Sequence, residues 1–192
     1  MAKEKRCKIC GEIFSPFSSL QKVCSLACSL QMVQKDKAKK QKQERKELRD
    51  RVLKNDKRHQ LALTQKAFNA LRREQELRWF KDRGLEPTCI SCGKPKGNDT
   101  WCCGHYKTVG SNSALRFDEK NTYLQHNFSC NQNLSGDIVN YKKGILARFP
   151  DGEAILEYLD NHEKVRNWSC DELIEMRKTF SRQLRELLKS SL

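Results

Sequence analysis

Four groups of residues between Cys89 and Asn131 have the types and spacing to do chemistry. They are Cys89-x-x-Cys92, Gly104-His105-Tyr106, Asn121, and His126-x-x-x-Cys130 followed directly by Asn131. Cys89, Cys92, His126 and Cys130 make a three-thiolate, one-imidazole set, and closed coordination by four such ligands is the mark of a structural zinc site. Cys102 and Cys103 lie between the two pairs, and either could replace His126. His105 also lies between them. Histidine is the side chain that takes a proton from water near neutral pH, while on its residue type alone His105 reads equally well as a zinc ligand or a satisfied polar strand residue.

A second clip precedes this block. Cys7-x-x-Cys10-Gly11 and Cys24-x-x-x-Cys28 offer four thiolates at a spacing that suits a second structural zinc, which would fold a segment too short to fold unaided. Phe14, Phe17 and Val23 are its expected apolar filling. The chain has ten cysteines, and the stretch from Met1 to Cys10 lacks the apolar core of a secretory signal. That combination points to metal in a reducing cytoplasm, not to disulfides. No apolar run reaches the length of a membrane span.

The elements that must hold these clips are few. At 192 residues, 37% hydrophobic and 32% charged, with mean hydropathy −0.83, the chain cannot sustain one generous core along its whole length. Its formal charge of +14 calls for an extended polyanion, most simply nucleic acid bound through phosphate. A ribosome-associated RNA-binding protein would carry the same charge.

An α+β organisation follows. It comprises a four-cysteine zinc-binding unit (1–28), a basic arm that is helical or partly disordered (29–60), a zinc-stapled core with its preceding helix (61–137), and a C-terminal helical region (138–192). Leu61 to Arg83 has helical periodicity stopped by Gly84 and Pro87. Thr100–Val109 predicts a short hairpin, Asp118–Asn121 a turn, and Asn131–Leu134 the start of a helix. Helices are predicted over Asn140–Phe149, over Glu153–His162, and from a Ser169 N-cap with Glu172 three residues on to the chain end. Trp168 is placed to staple against Leu173, Trp79 to join the core, and Cys170 to be inert.

The central order, Cys-x-x-Cys, Gly-His-Tyr, Leu-Arg-Phe-Asp-Glu-x-Asn, then Cys-Asn-Gln-x-x-Ser-Gly, resembles the phage NinG family, the lambda Rap recombination endonucleases. More distantly it resembles the HNH, or ββα-metal, nucleases, including junction resolvases of the endonuclease VII type. The motif resemblance covers 89–137, and the flanking regions resemble NinG proteins in layout. It implies a ββα-metal core in which His105 is the general base and Asn121 holds the histidine's loop. Asn131 would be a ligand of catalytic Mg²⁺ or Mn²⁺. The implied substrate is branched DNA, Holliday junctions and D-loops, cut to a 5′-phosphate and a 3′-hydroxyl. Implied partners are DNA, a second copy of the chain across a symmetric junction, and phage recombination proteins in the bacterial host cytoplasm.

Two departures stand out. Cys102-Cys103-Gly104 occupies the place where many HNH nucleases carry an acidic metal ligand, leaving Asp118 or Asp99 as substitutes if the fold brings them close. The second zinc pair is His-x-x-x-Cys where Cys-x-x-Cys is usual. Neither removes the base, and the first favours an alternative, a weakly active or inactive zinc-ribbon DNA-binding accessory in recombination or packaging.

Overall fold

The computed structural model describes residues 4–190, so the first residues of the Met1–Cys10 stretch and the last two of the expected final helix lie outside it. The chain falls into two compact units that divide after Leu53.

In the first unit, β1 (Lys5–Arg6) pairs antiparallel with β2 (Ile13–Phe14). The link between them is a tight turn in which Gly11 N–H returns to the Cys7 carbonyl at 3.0 Å and Cys7 N–H to that of Glu12 at 2.8 Å. Gly11 takes φ +79°, a left-handed conformation that only glycine adopts without strain. A miniature core of Cys7, Val23 and Cys28 is backed by Ile9, Phe14 and Met32. Phe17 is not part of it. It stands fully exposed, its backbone N–H held by Gln21 Oε1 in a polar turn. Helix α1 (Leu26–Lys54) starts inside the cysteine unit, so Cys24 precedes it and Cys28 sits in its first turn. The arm is therefore helical and grows directly out of the clip. Cys28 is its sole buried residue, and the Lys40–Glu44 pair at 3.9 Å is exposed and worth little.

The second unit opens with α2 (Lys57–Lys81), four residues earlier than its apolar periodicity begins. Asp56 caps it by accepting from His59 N–H. Strand β3 (Trp101–His105) pairs antiparallel with β4 (Thr122–His126), in a register that sets Trp101 opposite His126 and His105 opposite Thr122. The hairpin expected within Thr100–Val109 is thus a wider one. Residues 106–121 form the connection, including two single-turn 3-10 helices at Ala114–Phe117 and Glu119–Asn121.

After β4, residues Asn127–Gln132 form a wide π-helical turn. The helix expected to begin at Asn131–Leu134 does not start there. Ser135, Gly136 and Asp137 all take positive φ, which breaks the helix before α3 (Ile138–Arg148) begins. Helices α4 (Gly152–Asn161) and α5 (Cys170–Lys189) follow, and the Ser169–Glu172 capping box is formed in both directions. Trp168 is buried edge-on against Phe117 at 5.4 Å, within an aromatic cluster that also holds Phe68 and Phe180. This cluster and the Thr64 hydroxyl bond to the Leu173 carbonyl (2.8 Å) fasten α5 to α2.

The C-terminal helices share one core with the hairpin: Ile90, Tyr106, Leu115, Tyr123, Tyr141, Ile145, Ile155, Leu156 and Leu159. Tyr141 is its pivot, because its hydroxyl donates to Gly104 O (2.9 Å) and accepts from Tyr123 N–H (3.0 Å), joining α3 to both strands. Gly144 lets α3 press on the Cys89–Cys92 turn. A Cβ there would lie 1.7 Å from the Ile90 carbonyl oxygen. Trp79 is half-buried, edge-on to Phe80 and Phe149.

Buried charge ties α2 to the same assembly. Glu76 accepts from Arg72 (3.1 Å), Arg148 (3.3 Å) and Leu124 N–H (3.3 Å), and Arg72 also donates to the Thr122 carbonyl. Replacing Glu76 with alanine strands two buried guanidiniums and should cost about 3–5 kcal/mol, read as a lower urea midpoint at unchanged m-value. A cost as small as an exposed ion pair's, about 1 kcal/mol or less, would show that the network does not hold α2 in place. Among the described residues, no helix is long and apolar enough to cross a membrane.

Candidate functional site

Two sets of four side chains gather to metal-binding distance. Within Cys7, Cys10, Cys24 and Cys28, and within Cys89, Cys92, His126 and Cys130, the potential ligand atoms all lie within 4.8 Å of one another. A tetrahedral zinc with bonds of about 2.3 Å to sulfur and 2.0 Å to nitrogen needs S···S edges near 3.8 Å and S···N edges near 3.5 Å. The central set has Cys89 Sγ–Cys130 Sγ at 3.7 Å and Cys92 Sγ–His126 Nδ1 at 3.5 Å. The N-terminal set has Cys24 Sγ–Cys28 Sγ at 3.7 Å and Cys10 Sγ–Cys24 Sγ at 3.4 Å. Both sets could hold structural zinc.

The surroundings of His126 fix its role in the central set. Its Nε2 lies 3.0 Å from the Pro95 carbonyl, which can only accept, so the proton sits on Nε2 and Nδ1 faces the thiolates. Trp101 stacks on the ring at 4.9 Å. The cysteines that competed with it in the sequence point elsewhere. Cys102 Sγ bonds to the Gln125 carbonyl, and neither Cys102 nor Cys103 belongs to the set whose ligand atoms gather within 4.8 Å of one another.

At the opposite end of the hairpin stands His105. Its Nε2 is 3.1 Å from the Arg116 carbonyl, so Nε2–H donates and the lone pair is on Nδ1. Burial lowers its pKa below the ordinary 6.5. The carbonyls of Arg116 and Cys103 oppose that fall, and the nearby Arg116 guanidinium reinforces it. The imidazole is therefore neutral at pH 7. The loop carrying Arg116 is held in turn by Asn121, which is fully buried. Asn121 Oδ1 accepts from Lys107 N–H (2.7 Å), while Nδ2 donates to the carbonyls of Lys107 (3.0 Å) and Leu115 (3.1 Å). Those three bonds cross-brace both ends of the loop that begins just after His105 and contains its hydrogen-bond acceptor.

Asn121→Ala leaves three backbone groups short of partners. At about 1–3 kcal/mol for each such group that stays dry, with partial rescue by water, a net loss of about 2–4 kcal/mol is expected. Chemical denaturation measures it, and a loss no larger than a surface substitution's would contradict the bracing role.

Asn131 is half-buried in the π-helical turn, and its side-chain amide has no hydrogen-bond partner among the described residues. The two carboxylates that might join it are both engaged, Asp99 more fully than Asp118. Asp99 caps that same turn, accepting from Ser129 Oγ (2.7 Å), Ser129 N–H (2.9 Å) and Phe128 N–H (3.0 Å), and these bonds hold its carboxyl well below the usual range. Asp118 accepts from Lys120 N–H and from the Tyr158 hydroxyl, one bond on each oxygen. With the bond from Thr100 N–H, Asp99 has its acceptor sites filled, whereas Asp118 keeps a lone pair on each oxygen. The capping role of Asp99 has no sequence signal, because its partners lie some thirty residues further on. The carbonyls of Pro95 and Arg116, which set the two histidine tautomers, are equally silent.

The family model described as Bacteriophage Lambda NinG protein matches residues 1–190. Protein ninG of Escherichia phage 933W is 31% identical over 200 residues, covering 99% of this chain and 98% of its own. Protein ninG of Escherichia phage lambda is 32% identical over 202 residues, covering 99% and 97%. That of Salmonella phage P22 is 31% identical over 202 residues, covering 99% and 98%. No solved structure matches the chain.

Proposed function

The chain belongs to the NinG family of phage proteins, and from that premise we propose that it is a Rap-type endonuclease that cleaves branched DNA, with an HNH-like centre. One observation carries the reading. His105 holds its Nε2–H on the Arg116 carbonyl, which leaves Nδ1 as the ring atom that can take a proton, at the end of a hairpin stapled by four metal-type ligands. A general base needs that protonation state and that fixed orientation.

In this reading His105 Nδ1 takes a proton from water, and the hydroxide attacks a phosphodiester phosphorus. The bond from phosphorus to the 3′ oxygen breaks, leaving a 5′-phosphate, and the departing oxygen takes a proton from solvent to become a 3′-hydroxyl. Asn121 positions the base by bracing the Arg116 loop. Asn131 offers one uncommitted amide oxygen, so a divalent cation held there would need water and the substrate's own phosphate to complete its shell. When bound, Mg²⁺ or Mn²⁺ supplies charge neutralisation at the reacting phosphate. The arm α1, with ten Lys and Arg against four Asp and Glu along its length, adds backbone affinity.

The second reading, a zinc-stapled DNA-binding accessory without strong activity, is favoured by the filled acceptor sites of Asp99, the carboxylate that caps the turn carrying Asn131. Incubation with a four-way junction, a D-loop and a linear duplex in Mg²⁺ or Mn²⁺ separates the two. Nuclease action predicts faster cutting of the branched substrates that a chelator stops. Binding without cutting would establish the accessory role.

A further inference from the structure

A polar groove runs along α2 beside the loop that fixes His105. It is lined by Gln65, Lys66, Asn69 and Arg73 from α2, by Arg116 from the loop, and by two alanines. Three of these side chains are cations, two are amides, and no carboxylate or aromatic ring lines it. Lys66 and Arg73 are exposed. They stand two helical turns apart, about 10 Å along the axis, which is about three phosphate-to-phosphate steps along the axis of one B-form strand. Arg116 belongs to both features. Its guanidinium reaches Gln65 Oε1 at 3.2 Å in the groove, while its carbonyl accepts the His105 proton at 3.1 Å.

We propose that this α2 groove seats the sugar–phosphate backbone of a duplex DNA arm and delivers the strand to His105. The inference rests on the endonuclease reading and specifies where its substrate lies. Cations supply the electrostatic part. Gln65 is tied to both neighbours, accepting from Arg116 and donating to Asn69 Oδ1 (2.8 Å), which leaves the Asn69 amide N–H groups to give neutral hydrogen bonds to phosphate or sugar oxygens. The lack of an aromatic platform sets it apart from a single-strand site, where bases stack on rings. Arg116 couples the two features, so a phosphate settling against its side chain settles beside the residue whose backbone orients the base.

The test measures affinity of the full chain for a labelled four-way junction across a salt series, in the His105→Ala background so that no DNA is cut. Lys66→Glu with Arg73→Glu should weaken binding about tenfold or more and reduce the slope of log affinity against log salt by about 2, at roughly 0.9 per phosphate contact. Lys142→Glu with Lys143→Glu, an equal charge change at exposed positions outside the groove, serves as the control. Lys66→Arg with Arg73→Lys should keep the wild-type slope. Two zinc ions per chain and an unshifted melting temperature in each variant certify the fold.

Equal losses in groove and control variants, or no loss in either, would overturn the groove while leaving His105 chemistry to its own assay. Displacement by single-stranded DNA as readily as by duplex would overturn the duplex assignment. Retained groove binding in a wild-type chain that cuts nothing would instead remove the endonuclease reading.

Discussion

His105→Ala should lower the single-turnover rate of junction cleavage by about 10²–10⁴-fold, the range for removing a positioned general base, while binding and zinc content stay unchanged. The side chain is half-buried and donates one hydrogen bond, to Arg116 O, so its truncation touches the chemistry more than the frame. The pH profile gives an independent sign. Burial depresses the imidazole pKa below 6.5, so the base form predominates above pH 6.5 and is lost as pH falls through the lowered value. Cleavage by the wild type should therefore be flat from pH 7 upward, as far as the base is concerned, and fall on the acid side below 6.5. A rising limb centred above pH 7 would assign the rate to another group.

Cys130→Ala should have the larger structural effect. Cys130 is buried, and its sulfur lies 3.7 Å from that of Cys89, so its loss opens the central clip to three ligands. Structural zinc contributes about 10–16 kcal/mol of apparent binding free energy in small zinc-dependent domains, against a typical domain stability of about 5–15 kcal/mol. The helices around Tyr141 keep a core of their own. The expected result is loss of one of two zinc ions, collapse of the β3–β4 hairpin and a large fall in melting temperature, with the N-terminal clip still loaded. Elemental analysis and calorimetry read it. Two retained zinc ions, or an unchanged melting temperature, would show that the central clip is not a metal site.

The set of residues that gathers to metal-binding distance was legible in the sequence, and the bonds that orient His105 and His126 were not. The spacing of Cys89, Cys92, His126 and Cys130 carried the clip because metal ligation is a property of residue type and separation. The Ser169–Glu172 capping box was legible for the same reason, being local. The pairing of β3 with β4 was not, because it closes a loop of sixteen residues (106–121) whose cross-brace is a single side chain, Asn121. Phe17 misled because an aromatic residue beside a zinc turn reads as filling, whereas a polar turn leaves it in solvent. The helix expected at Asn131 failed against three successive positive-φ residues, of which only Gly136 announces itself. The Glu76 network, the Asp99 cap and the Arg116 carbonyl all join residues distant in sequence, and backbone acceptors carry no letter of their own.

The most direct measurement is single-turnover cleavage of a four-way junction in Mg²⁺ at saturating protein, wild type beside His105→Ala, with the products then offered to DNA ligase. The wild type is expected to nick the junction to ends that ligase reseals, as a 5′-phosphate and a 3′-hydroxyl require, while the variant binds the junction and leaves it whole. Intact DNA in a saturated wild-type complex, or equal cutting by the variant, would contradict the assignment of His105 as the base of a nuclease.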